Sequence, residues 1–253
     1  MQAQVVLTSS QSKRLIAKGI IAWPAFKKAL ADGIVAVSKG TTNSYIAQEL
    51  VGEGFDKTRY VFGRIAPAGG DSAWAKGDLP DVVLQKGKEI EGASVNEIVK
   101  EMGPGDLFLK GANAINYNLD QAAVLIGHPV GGTLGATVGT IISRKVRLVH
   151  PAGLEKNLPT DLVSASQRIA REDGEIDPVY GLWATHGELF TEIEALGALF
   201  DLVAVPVAGG GIAGAEGAVT LALFGEGGEL EKAMEFIGEI QKEGPFAPGT
   251  SGV

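Results

Sequence analysis

Short apolar runs that end in glycine-containing polar turns recur along the first two thirds of the chain, and most lead into a segment with helical spacing. Residues 4–7 (QVVL) predict a strand. Thr8, Ser9 and Ser10 can cap the helix after it, whose apolar face carries Leu15, Ile16, Gly19 and Ile20. Trp23-Pro24 interrupts that helix, and Pro24 suits the first position of a second one, Pro24–Ala31. The wholly apolar, β-branched run at 34–37 reads as a buried parallel strand. It ends in KGTTN (39–43), where Asn43 or Ser44 can cap a short helix. VFGRI (61–65) and DVVLQKG (81–87) predict strands, separated by a loop containing Trp74. Ser94 and Glu97 form a capping-box pattern for a helix over 95–102. Further strands are expected at 106–110, 123–126 and 146–149, with a helix of small residues over 133–143. Alternating strands and helices predict an α/β fold with a mostly parallel sheet flanked by helices.

After about residue 160 the pattern changes. Residues 161–171 and 188–200 read as helices, the latter with Leu189, Ile193, Leu196 and Phe200 on one face. Two β runs, 202–207 and 218–224, are joined by AGGGIAGAEG, and a helix over 229–241 follows. Helix, strand, strand, helix is a compact α+β unit, half of a ferredoxin-like fold. The polar stretch REDGEIDPVYG (171–181) suggests a division into an α/β ligand-binding domain, 1–172, and a small α+β unit, 173–253. The tail GPFAPGTSGV is expected to be loose.

Composition narrows the function. A net charge of −8 argues against a nucleic-acid partner, because phosphate backbones want a basic face. The chain has no cysteine, which excludes disulfides, thiolate metal sites and cysteine nucleophiles. The N-terminal residues do not form a signal peptide, and the longest weakly charged stretch, 202–215, is too short and too rich in Gly and Pro for a membrane span. A soluble, cytoplasmic protein without a membrane partner is expected. Glycine is the outlier, at 36 of 253 residues, about twice the ordinary share.

The candidate chemistry lies in the turns. KGTTN, KGAN (110–113), GHPVGGT (127–133) and HPAGLEK (150–156) all follow predicted strands. Ligands in open parallel sheets bind beyond the carboxyl ends of strands. A glycine turn that opens a helix offers free N–H groups and a positive helix end to phosphate or carboxylate. Lys39, Gly40, Thr41, Thr42, Asn43, Gly131, Gly132 and Thr133 are therefore the expected anion site, with Lys110, Gly111, Asn113 and Asn116 facing the rest of a small anionic metabolite. Any one such turn taken alone is also explained by tight-turn geometry and solvated lysines. His128 is the acid–base candidate, because histidine in general changes charge near neutral pH. Glu216 is the one ionisable group in the GGGIAGAEG loop and a second catalytic candidate. His128, His150 and His186 fit no metal-ligand spacing, so no metal is expected. Glu188 and Glu192 in THGELFTE can act as acid, base or ligand, or complement a helix dipole, which is the favoured reading for Glu192. The string Gly209–Gly214 is a weak dinucleotide fingerprint, since a strand and not a helix is expected after it; no cofactor is assigned.

The order of elements over 12–156 resembles the superfamily of ribose-5-phosphate isomerase, glucosamine-phosphate deaminase and the CoA transferases. KGTTN stands where those isomerases carry a Gly-Thr-Gly-Ser-Thr phosphate turn, Lys110-Gly111-Ala112-Asn113 where they carry Asp-Gly-Ala-Asp, and GHPVGGTLGA where they carry a glycine-rich turn. HPAGLEK takes the place of their Asp-x-Ser-Lys. Both aspartates of the acidic turn are replaced, by Lys110 and Asn113, and GATVG replaces the following Glu-Lys pair. The resemblance implies sugar-phosphate isomerase-like or CoA transferase-like chemistry if the protein is an enzyme. The loss of those acidic groups motivates the alternative of a non-catalytic metabolite sensor or a homo-oligomeric assembly subunit.

Overall fold

The computed structural model of the chain describes residues 1–52, 54–63, 65–66, 77–171 and 179–246. The elements in chain order are β1 (Gln2–Leu7), α1 (Ser9–Ala22), α2 (Pro24–Asp32), β2 (Ile34–Val37), α3 (Thr41–Val51), β3 (Val82–Gln85), β4 (Lys88–Glu89), α4 (Val95–Ile98), β5 (Leu107–Leu109) and β6 (Ala114–Asn116). Then follow β7 (Gln121–Ile126), α5 (Gly132–Ser143), β8 (Arg147–Pro151), α6 (Leu162–Arg171), β9 (Gly181–Thr185), β10 (Glu188–Phe190), α7 (Glu192–Leu199), β11 (Leu202–Gly209), β12 (Val219–Gly225) and α8 (Gly227–Ile240). Among the described residues the fold is mixed α/β with three sheets. The Trp74 loop, the 172/173 boundary and most of the C-terminal tail lie outside the described residues.

The largest sheet has six strands in the order β10-β8-β5-β2-β3-β4. Its first four strands are mutually parallel, whereas β3 runs antiparallel to β2 and β4 antiparallel to β3. The sheet is therefore mixed. Strand β2 is buried on both faces, as its uninterrupted apolar sequence requires. Val35 and Val37 face a core shared with α1, α3 and α7, while Ile34 and Ala36 face α4 and α5. A second sheet, β1-β12-β11, is wholly antiparallel, and a third, β6-β7-β9, carries α6.

Several local expectations change. Residues 188–200 are not one helix: Glu188–Phe190 pairs in parallel with Val149–Pro151, and Thr191 starts α7 with a capping box closed by Glu194. The Thr191-x-x-Glu194 pattern was present in the sequence, but the periodic leucines masked it. VFGRI forms no strand among its described residues, while β6 and β9 were not expected. Helix α4 is one turn, capped by Ser94; Glu97 turns outward to Lys100 (2.6 Å). Helix α3 begins at Thr41, so Asn43 lies inside its first turn and does not cap it. The Thr8 cap, Pro24 at the head of α2 and the helix of small residues at α5 are as the sequence indicates. Among the described residues no helix is long and apolar enough to cross a membrane.

Helix α1 packs on α3 and α7 and touches β1 of the antiparallel sheet, and its Gly19 lies directly against Ala195 of α7. A Cβ on Gly19 would fall inside the backbone of Ala195, so the two helices would have to separate. The expected result for Gly19→Ala is a loss of about 1–3 kcal/mol in urea unfolding, despite alanine's better helix propensity. An unchanged midpoint would show that this contact is loose.

Candidate functional site

The parallel pairing of β8, β5 and β2 sets their carboxyl ends side by side. HPAGLEK, KGAN and KGTTN thus emerge at one edge of the large sheet. GHPVGGT does not come from that sheet, because β7 belongs to the antiparallel β6-β7-β9 sheet. It reaches the same edge through Asn113, which links the KGAN turn to β7: its backbone N–H donates to Ala123 O (2.9 Å) and its Oδ1 accepts from Leu125 N–H (3.0 Å).

Between these segments is a cavity of about 380 Å³, within the range of small-molecule sites. Its apolar walls are Phe62 and the Val124–Ile126 segment. Its polar lining is Lys39, Lys110, Asn113 and His128, together with Gly131, Gly132 and Thr133 at the head of the 12-residue α5. No carboxylate lines the cavity among the described residues. Lys39 Nζ donates to Gly77 O (3.2 Å) and Lys110 Nζ to Gly111 O (3.3 Å), and neither lysine has a carboxylate partner among them. His128 Nδ1 accepts from Val130 N–H (3.3 Å), which leaves Nε2 as its proton-bearing nitrogen. Gly131 and Gly132 both have positive φ (82° and 56°), and a Cβ on Gly131 would approach Gly135 Cα to 2.9 Å. Only glycine fits the first position, and the resulting turn leaves the first N–H groups of α5 unpaired within the helix.

The remaining expected site residues lie elsewhere. Gly40, Thr41, Thr42, Gly111, Asn116 and Glu216 do not line this cavity. Asn43 is fully buried, and its Nδ2 donates to Ser38 O (2.8 Å) and Leu109 O (3.0 Å), stapling β2 to β5. Asn116 is likewise committed, donating to Thr160 O and accepting from Leu119 N–H. Glu216 is exposed on the β11–β12 connection, where it accepts from Gly214 N–H (2.9 Å). Glu188 pairs with Arg147 (2.5 Å) at the surface. The three histidines do not form a metal set: His150 is completely buried, His128 and His186 are exposed, and no group of His, Asp or Glu that could hold a metal occurs among the described residues.

A charged cluster lies at the HPAGLEK turn and the head of α7. Lys156, from the turn after β8, donates to Ala112 O (2.9 Å). Lys13 on α1 pairs with Glu155 (3.2 Å), and the wholly buried Glu192 accepts from Leu154 N–H (2.9 Å). Burial pushes the Lys110 ammonium down to about 8, and the nearby charge of Lys156 adds to the shift. Burial likewise lowers Lys156. Burial holds His150 neutral, at about 4, although its Nδ1–H donates to Lys110 O (2.7 Å). Burial, reinforced by the Glu155 charge, raises Glu192 to about 7. The sequence signals for the cluster are the strand-end position of HPAGLEK and Glu192 in THGELFTE; Lys13 has none.

The chain matches no protein family, no curated protein and no solved structure. The chemistry is therefore read from the residues themselves.

Glu192 gives a signed pH test. Its folded value, about 7, lies above its ordinary 4.5, so the folded state holds the extra proton between those values. Its contribution to stability is present at acid pH and is lost as pH rises from about 4.5 to about 7. Glu192→Gln keeps an acceptor and removes the charge. Its expected effect in denaturant titrations at about pH 8 is a gain of up to about 3 kcal/mol over the wild type, vanishing towards pH 4.5. A pH-independent loss would mean that the carboxylate is wanted in its charged form.

Proposed function

We propose that the protein binds a small phosphorylated or carboxylated metabolite in the cavity between the KGTTN, KGAN and GHPVGGT turns. The observation that carries this reading is the pairing of Lys39 and Lys110, both without carboxylate partners among the described residues, with the open amide end of α5 in one cavity that no carboxylate lines. Two ammonium groups and a helix N-terminus create a local positive field in a chain whose net charge is −8. Gly131, Gly132 and Thr133 supply backbone donors, Asn113 an amide, and the Val124–Ile126 wall an apolar surface for the ligand's uncharged part. In this reading the four adjoining parallel strands are the organising half of the sheet, and α7-β11-β12-α8 is the ferredoxin-like half. The distant kinship with the sugar-phosphate isomerase and CoA transferase superfamily belongs to the same proposal, with the acidic turn of the isomerases converted to a cationic one.

A second reading, assembly from copies of this chain, is favoured by one feature. The outer face of the β1-β12-β11 sheet exposes Val6, Val203, Val205 and Phe224, and β11 is an edge strand of eight residues. Such an edge can pair with itself about a two-fold axis. Light scattering on the full chain tests it, and a monomer at all concentrations would remove it.

The ligand reading is tested by thermal shift and calorimetry with inorganic phosphate, pyrophosphate and sugar phosphates. A ligand of the folded state raises the melting temperature by mass action. Lys39→Ala and Lys110→Ala are each expected to weaken binding by roughly 10- to 100-fold, the scale of one charge-assisted contact of about 1.5–3 kcal/mol, with the fold retained. Equal affinity in both variants and the wild type would refute the site.

A further inference from the structure

We infer that Lys110 is an amine nucleophile, and that the ligand it meets carries an aldehyde or ketone as well as an anionic group. The inference rests on the anion-site reading above and adds a covalent step to it. Lys110 lines the cavity, and among the described residues its Nζ makes one weak hydrogen bond, to the adjacent Gly111 carbonyl at 3.3 Å. A lysine whose role was only to hold a phosphate would gain from being permanently charged. The surroundings of Lys110 instead oppose its charge.

The groups about it come from three elements. From β8, the buried His150 ring fixes the Lys110 carbonyl at 2.7 Å, which immobilises the backbone from which the amine projects. From the turn after β8, Lys156 presents a second cation, itself tied to Ala112 O. Beyond Lys156 stand Glu155, Glu192 and Lys13; Glu155 is engaged by Lys13, and the charges of the two glutamates act on Lys156. Across the cavity are Lys39, His128 and the head of α5, so nothing acidic among the described lining residues restores the charge of Lys110. Burial and a neighbouring cation are the two means by which a lysine becomes a free amine at moderate pH. At about 8, roughly half of the Lys110 side chains are neutral at that pH, against well under 1% of ordinary lysines.

The step balances without a redox partner. The neutral amine adds to the carbonyl carbon, forming a C–N bond and a carbinolamine. The former carbonyl oxygen then leaves as water, taking the two amine protons, and an imine remains. His128 lines the same cavity with its Nε2 free to exchange the proton on that oxygen. The anionic end of the ligand rests on Lys39 and the Gly131–Thr133 amides, which places its carbonyl over the apolar wall and Lys110.

Pyridoxal 5′-phosphate, an aldehyde with a phosphate, is the probe. The full chain is incubated with it at about pH 8, reduced with borohydride and mapped by peptide mass spectrometry. Labelling at Lys110 is expected to run on the order of 100-fold faster than at surface lysines. Excess inorganic phosphate should suppress it, and pyridoxal without its phosphate should label Lys110 far more slowly. Lys110→Arg, which cannot form an imine, should lose the label. Lys156→Gln should move the pH midpoint of labelling upward, which a purely structural lysine would not do. Labelling spread over many lysines, or unchanged in Lys110→Arg, would overturn the inference. If phosphate still binds in that case, the anion site stands without the amine chemistry. Absence of phosphate binding to the wild type would overturn the anion-site reading itself, whatever the labelling pattern.

Discussion

At the carboxyl ends of the parallel strands, polar side chains donate to backbone carbonyls. Asn43 donates to Ser38 O and Leu109 O, His150 to Lys110 O, and Lys156 to Ala112 O. An unpaired buried carbonyl costs about as much as a lost hydrogen bond, so this edge needs donors in place of a simple apolar cap. The donors available are an amide, an imidazole and an ammonium. The last two are titratable, and their burial is the source of the unusual electrostatics at this end of the molecule. His150 must stay neutral to be buried there. Lys156 cannot withdraw to solvent without giving up Ala112 O, so it is held beside Lys110, where its charge lowers the Lys110 ammonium further.

That constraint also explains why the two Lys-Gly phrases have different fates. In KGTTN, the residues after the glycine build the first turn of α3: Asn43 is consumed as a staple, and Thr42 is buried with its hydroxyl unpartnered. Only Lys39 is left to face the cavity. In KGAN, no helix follows. The chain turns instead into the short strand β6, and Asn113 ties the turn to β7, bringing a strand from another sheet alongside. The same sequence device therefore supplies one cation in the first case and a cation plus a bridge in the second. GHPVGGT completes the cavity: Gly131 and Gly132 adopt positive φ at the head of α5 and line it together with the two lysines.

The elements fixed by local chemistry were legible in the sequence: the Thr8 cap, Pro24 as a helix start, the doubly buried IVAV strand and the small-residue helix at α5. Tertiary choices were not. A leucine-containing run at 188–200 satisfies both a helix stripe and a short strand followed by a capped helix, and only the pairing of Glu188–Phe190 with β8 decides between them. The antiparallel direction of β3 and the membership of β7 in a separate sheet have no local signature, so the strand-end rule applied to three of the four turns and not to the fourth. Asn43 and Asn116 have the composition of ligand donors, yet backbone carbonyls and amides claim them. Lys156 went unnoticed because its role depends on the carbonyl it finds across the sheet edge, at Ala112.

The charged cluster at the HPAGLEK turn and the head of α7 is costly in isolation, and its arrangement limits that cost. Lys13 and Glu155 neutralise one another, and Glu192 sheds its charge, at about 7, more readily than an exposed carboxylate would. Lys156 has a carbonyl and the field of the two glutamates to hold it. Lys110 alone has no counter-charge among these groups, and it is the one that reaches the cavity. A residue destabilised as a cation is one that a ligand can relieve, either by bringing a negative charge or by converting the amine to a neutral imine. Both routes shift the folded state in the same direction, because each removes an unpaired desolvated charge. The imbalance at Lys110 is thus the point where the requirements of the strand ends and the chemistry of the cavity meet.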